Sequence, residues 1–240
     1  MFDHDLQVER ALVVTAHPDD IDFGGAGTIA TLTDMGVEVS YCICTYGDAG
    51  GFDPTVPRSE IPGIRKAEQE QAARILGVKD VHWLGYPDGA LEVSLDLRKD
   101  ISRVIRKVRP QLLITQNPER NWERIYASHP DHMAAGDAAL KAVYPDARNP
   151  FAHTSLAQDE GLEAWTVSQV WVMGTQQRTK FVNVTSQFDR KVQALREHVS
   201  QTSHMDDLPG MIRTWMTGAA QEAGLPEGEL AEGFLVVDSR

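Results

Sequence analysis

The run Ala11-Leu12-Val13-Val14-Thr15-Ala16, which stops at His17-Pro18-Asp19-Asp20, limits what this chain can fold into more than any other stretch. A strand with one face in water alternates apolar and polar residues, and this run, bounded by Arg10 and Pro18, does not. It reads as a parallel strand covered on both faces, and in open α/β sheets binding groups gather where such strands end. Pro18 restricts His17 to extended backbone and fixes its own φ, so the turn is stiff. His17 and Asp20 offer the imidazole nitrogen and carboxylate oxygen that zinc accepts, which leaves Asp19 free to act as a base. Taken alone, the same residues also suit a helix start with Asp20 or Asp22 as N-cap.

A second cluster, Ser128-His129-Pro130-Asp131-His132, repeats histidine, proline and acid at the head of an amphipathic stretch. Together the two clusters resemble those of the LmbE-like (PIG-L) family of zinc-dependent de-N-acetylases. The likeness continues through Thr45-Tyr46-Gly47-Asp48-Ala49-Gly50-Gly51, Arg65-Lys66-Ala67-Glu68 and Leu84-Gly85-Tyr86-Pro87-Asp88-Gly89. It implies a Rossmann-like three-layer α/β fold with a mainly parallel sheet, and removal of the acetyl group from an N-acetylglucosamine-type amino sugar or its conjugate. It also implies Arg65 near the sugar pocket, Asp88 as an acceptor for sugar hydroxyls, and a tyrosine close to the second motif that helps hold the reaction oxyanion. Tyr126 stands three residues before His129, one more than in the mycothiol-pathway deacetylases that the chain resembles. Ile21 occupies the place where the family's first motif often continues with glutamate, and Asp22 is at hand for that acid's structural role.

The expected mechanism follows from the ligand count. His17, Asp20 and His132 give three protein ligands, so one divalent ion, zinc or another divalent metal, keeps an open position for water. Such an ion lowers the pKa of its water from about 15.7 toward about 7. Asp19 is then the general base, a contribution of about 10²- to 10⁴-fold. His129 as imidazolium supports the oxyanion, and Asp131 orients His129 as a triad acid does.

Bulk properties agree with a small-molecule enzyme. With 240 residues, 42% of them hydrophobic, the chain can bury a full core. It reads as one domain over 1–240, a parallel βα core over 1–145 followed by strands and helices of the same domain over 146–240. A formal charge of −12 and a pI near 5.1 oppose nucleic acid or an anionic membrane as partner, since both require a basic face. The partner implied is a small-molecule amino sugar, with room left for a homo-oligomer. Met1-Phe2-Asp3-His4-Asp5 has neither a basic nor an apolar signal region, and no segment approaches about 18 apolar residues, so a cytoplasmic location is expected. Cys42 and Cys44, two apart on a predicted strand, share one face and are expected to pack as small hydrophobes.

The periodicity predicts helices over 21–35, 64–76, 97–108, from Pro130, over 188–199 and over 211–223, and strands over 37–44, 80–84, 111–115, 166–173, 180–184 and 234–237. Within the first helix, Gly25-Ala26-Gly27-Thr28-Ile29-Ala30 satisfies a dinucleotide fingerprint, which raises a rival reading as a nucleotide-binding regulator. In a dinucleotide site, however, the first glycine follows the strand directly, and here residues 17–23 intervene. These glycines are therefore expected to ease packing of the helix on the sheet. A nearer rival is an amidase acting on a thiol-sugar conjugate. The histidines outside the two clusters, His4, His82, His153, His198 and His204, are expected to be surface or hydrogen-bonded core residues.

Overall fold

In a computed structural model that describes residues 7–240, the apolar run forms β1 (Arg10–Thr15), buried from Ala11 onward. It has a parallel neighbour on each side, β2 (Glu38–Thr45) and β4 (Leu112–Gln116). β3 (Asp80–Tyr86) lies outside β2, and β5 (Gln169–Met173) pairs parallel with β4. β7 (Ala231–Asp238) runs antiparallel to both β5 and β6 (Lys180–Asn183), giving seven strands in the order β3-β2-β1-β4-β5-β7-β6. The chain leaves β1 on one side through β2 and β3, then returns to its other side with β4. That reversal opens a crevice at the carboxyl ends of β1 and β4, the place where open α/β sheets bind ligands.

Helices cover both faces because β1 presents an apolar side chain to each. Ala11 and Val13 pack with α1 (Asp20–Asp34), α2 (Ile61–Ile75), α6 (Phe188–Glu197) and α8 (Leu208–Glu222). Leu12 and Val14 pack with α3 (Leu95–Val108) and α4 (Pro130–Lys141). Two single-turn helices, α5 (Ser155–Gln158) and α7 (Val199–Thr202), lie in the C-terminal half. The last predicted helix begins earlier than its apolar stripe suggests, because Asp207 caps it by accepting from the Gly210 amide. Cys42 and Cys44 are buried and unpaired, and burial raises both thiols well above their ordinary range. Among the described residues, no helix is long and apolar enough to cross a membrane.

The glycine-rich segment of α1 is a packing device, as its distance from β1 suggests. A Cβ on Gly24 would come within 2.6 Å of Met173 Sδ, and one on Gly27 within 2.9 Å of Val184 Cβ. Gly25 leaves helical geometry (φ −155°, ψ 16°), and beyond it the Gly27 and Thr28 amides donate to Glu232 at 3.0 and 2.7 Å. Lys191 Nζ, buried with it, contacts the same carboxylate at 2.7 Å. A side chain of this chain thus fills the place a nucleotide phosphate would need, which sets aside the regulator reading.

α4 reaches the crevice through a close backbone approach. A Cβ on Gly136 would lie 2.1 Å from the Gln116 carbonyl oxygen, so only glycine lets the helix rest on the end of β4. Gly136→Ala should therefore cost about 1 to 3 kcal/mol through overpacking, and should also displace the preceding turn that carries His132. Thermal unfolding together with metal content checks this; unchanged values for both would contradict the packing.

Candidate active site

Two strand ends bring the predicted clusters together, although 115 residues separate His17 from His132. Gln116 at the end of β4 accepts from the Ala16 amide at 2.8 Å, tying it to the residue that precedes His17. His17 Nδ1 then lies 3.2 Å from His132 Nε2, and Asp20 lies 2.9 Å from His132 Nε2 through Oδ1 and 3.5 Å from His17 Nδ1 through Oδ2. Ligands bound tetrahedrally to zinc at about 2.0 to 2.1 Å stand roughly 3.3 Å apart, so these spacings suit one small cation. Two imidazole nitrogens and a carboxylate converging at this spacing, with the carboxylate favouring positive charge between them, are the chemistry of a cation site. His129 lies on the exposed side of this group, its ring 4.9 Å from those of both other histidines.

The remaining carboxylates serve His17. Its Nε2 lies 2.9 Å from Asp88 Oδ1 and 3.3 Å from Asp131 Oδ2. Asp88 is held in turn by the Ala49 amide at 2.8 Å, and Asp131 by the Gly89 amide at 2.8 Å and the Leu91 amide at 3.3 Å. Hydrogen bonding of this kind places the imidazole proton on Nε2 and turns the Nδ1 lone pair toward the site. From sequence, Asp88 is expected on sugar hydroxyls and Asp131 on His129; both carboxylates lie against His17, and Asp88 also borders the cleft. The reason is register: strand ends β1 and β3 and the first turn of α4 converge on one ring. Burial opposes charge on His17, but Asp20, Asp131 and Asp88 outweigh it and push the imidazole up to about 12. Burial likewise raises the Asp88 carboxyl, and His17 and the Ala49 amide more than offset it, bringing it to about 2.

Asp19 occupies the N-cap position of α1 in the left-handed region (φ 76°), and its side chain caps no helix amide. The N-cap is thus neither Asp20 nor Asp22, because the Asp20 carboxylate accepts from the His17 amide at 2.7 Å. A non-glycine residue in this conformation costs about 1 to 3 kcal/mol and persists only where its surroundings hold it. Gln69 supplies that hold by accepting from the Asp19 amide at 2.8 Å while donating to Asp22 Oδ2 at 2.8 Å. His198 Nε2 lies 2.9 Å from the same oxygen, and Asp22 and His198 are both fully buried. Arg65, only 4% exposed, donates to the Pro18 carbonyl at 2.8 Å, the Gly47 carbonyl at 3.0 Å and Asp19 Oδ2 at 3.1 Å. Its guanidinium thus ties the first motif to the Gly47 turn, while its Nε is buried without a hydrogen-bond partner among the described residues and the residue borders the cleft. Burial raises the Asp19 carboxyl and Arg65 pulls it back, leaving it at about 6.

His129 caps α4, its Nδ1 accepting from the Asp131 amide at 3.2 Å, which leaves the neutral ring's proton on Nε2. Burial and the neighbouring His17 and His132 imidazoles lower its pKa, so neutrality is favoured over the imidazolium expected from sequence. Tyr126 is 86% exposed at the rim of the cleft. The cleft encloses about 990 Å³ and is bordered by Asp19, His17, His132 and His129. Of the other histidines, His198 is buried, His82 and His153 are half-buried and His204 is exposed, while His4 lies outside the described residues. Gln69 and His198 carry no local pattern that sequence alone could have used, because their partners lie 50 and 176 residues away.

A mainly parallel sheet with two His-Pro-Asp clusters meeting at its switch point defines an LmbE-like α/β enzyme. Residues 12–143 match the model of the family described as PIG-L, GlcNAc-PI de-N-acetylase, and the chain belongs to this family. Over 194 residues it is 35% identical to the diacetylchitobiose deacetylase of Thermococcus kodakarensis, covering 81% of this chain and 70% of that protein. A Bacillus cereus protein named "Probable N-acetyl-alpha-D-glucosaminyl L-malate deacetylase 2" is 37% identical over 203 residues, covering 82% of this chain and 85% of its own length. The solved structure of N,N'-diacetylchitobiose deacetylase from Pyrococcus horikoshii, in complex with an inhibitor, superposes with a TM-score of 0.88 at 31% identity, covering 97% of this chain and 85% of that one.

Proposed function

We propose that the chain is a metal-dependent hydrolase, zinc being the ion of first choice, that removes acetyl groups from N-acetylglucosamine-type amino sugars or their conjugates. The observation that carries this is the convergence of His17 Nδ1, His132 Nε2 and Asp20 at ligand spacing beside Asp19 in an open cleft. The relatives support the substrate class, since each is named as a deacetylase of an N-acetylated sugar or sugar conjugate. No observation favours an amidase acting on a thiol conjugate. The chain is proposed to work as one domain, supported by the continuity of its sheet, and in the cytoplasm, supported by its two unpaired cysteines.

His17, Asp20 and His132 would hold the ion, with Asp88 and Asp131 fixing the tautomer and orientation of His17. A divalent zinc bound there supplies a Lewis acid and makes water acidic enough to give up a proton near neutral pH. Asp19 accepts that proton, its carboxylate steadied by Arg65 and its backbone by Gln69. His129, whose Nε2–H has no acceptor among the described residues, donates a hydrogen bond to the carbonyl oxygen as negative charge develops, and the proton taken up by Asp19 is the one passed to the departing amine. Arg65, which from sequence is expected to touch sugar, acts through Asp19, and Tyr126 is left to cover the sugar from the rim. The test is acetate release across a panel of N-acetylated amino sugars, sugar conjugates and acyclic acetamides. Release from the sugars at rates at least tenfold above those from the acyclic compounds is expected, and equal rates would contradict the sugar assignment.

A further inference from the structure

The cleft continues past the histidines into an arm that neither the metal site nor Asp19 uses. Beyond Phe23, one turn after Asp20, its walls are Met173 at the end of β5, Met205 from the loop before α8, and Met211, Trp215 and Met216 on α8. Met211 and Trp215 are spaced four apart, as are Ile212 and Met216, so α8 turns one apolar face to the cleft. Met173 and Met216 are 5% and 3% exposed and form the floor, and Met173 closes tightly over Gly24. Trp215 is 52% exposed, its ring 6.4 Å from that of Phe23, so the indole stands at the mouth with much of its apolar surface in water.

Polarity decides what this arm accepts. Of its charged groups, Lys191 and Glu232 are buried and bonded to each other and to backbone, and Arg178 is paired with Glu222 with its Nε closed off from solvent, so they have little left for ligand hydroxyls. A second sugar seated there would lose hydrogen bonds to water without replacing them, whereas hydrocarbon loses none. Methionines adapt to an alkyl chain or an aromatic ring of varied shape. The whole cleft, about 990 Å³, reaches the top of the range of about 300 to 1,000 Å³ typical of pockets for drug-sized ligands.

Resting on the amino-sugar reading above, we propose that this arm binds an apolar substituent of the substrate, an alkyl or aryl aglycone carried by the N-acetylated sugar. The test compares kcat/KM for acetate release from methyl, butyl, hexyl and octyl glycosides of N-acetylglucosamine and from diacetylchitobiose, with the zinc-loaded protein. Specificity is expected to rise about two- to fourfold per added methylene through KM until the arm is filled, and to exceed that for diacetylchitobiose. In Trp215→Ala and Met211→Gln the ratio of octyl to methyl specificity should fall at least fivefold. A flat alkyl series, a preference for diacetylchitobiose over the octyl glycoside, or an unchanged ratio in both variants would overturn the proposal. If no compound releases acetate, the deacetylase reading fails by itself and the arm is judged by binding. Hexyl glucoside should then change the indole emission of the unmodified protein but not of Trp215→Phe, and no change in either protein overturns the arm.

Discussion

His132→Ala is expected to lose its metal and its turnover together while remaining folded. His132 is half-buried in the first turn of α4, a position where alanine favours the helix, so the substitution removes a ligand rather than a support. With two of three ligands left, metal affinity should fall by more than the 10- to 100-fold that loss of a ligand-orienting partner typically costs. Asp88→Ala provides the comparison, because sequence and structure lead to different outcomes for it. A carboxylate that binds only sugar would leave metal content intact and raise KM. One that holds His17 Nε2 at 2.9 Å should instead weaken metal binding by about 10- to 100-fold. Elemental analysis after dialysis reads both variants. Full occupancy in His132→Ala would separate the two clusters, and full occupancy in Asp88→Ala would return that acid to the sugar.

Asp19→Asn should keep its metal and its substrate affinity yet lose about 10²-fold or more in kcat. The substitution is clean for a structural reason. Asparagine tolerates the left-handed backbone that Asp19 adopts, and the amide that donates to Gln69 is unchanged. What disappears is the capacity to take a proton, and loss of a general base lowers kcat without a matching change in binding. Steady-state kinetics on the metal-loaded variant is the measurement, and a kcat near that of the unmodified protein would remove Asp19 from the reaction.

Much of this was legible in the chain because it depended on local chemistry. β1 could be recognised as central since burial on both faces suppresses alternation, and the two His-Pro-Asp turns could be recognised because proline stiffens each one. The strand that follows each helix showed that the ends of β1 and β4 should meet. Less legible was which carboxylate serves which imidazole. Asp88 and Asp131 are 71 and 114 residues from His17, and no spacing rule says that both reach its Nε2. Gln69 belongs to no motif, and its value lies in two hydrogen bonds to partners 50 and 47 residues away. Glu232 stands in an acidic stretch with no motif, yet it satisfies amides 205 and 204 residues earlier that are freed where Gly25 breaks α1. Long-range polar partners of this kind are set by sheet order and register, which periodicity does not encode.

Metal titration of the chelated protein tests the central assignment most directly. Zinc bound per chain and acetate released from an N-acetylglucosamine glycoside are followed in the same samples. Both should rise together and level off at one ion per chain, with neither rise seen in His132→Ala. Acetate release at full rate before zinc is added, or saturation of zinc with no acetate released, would contradict it.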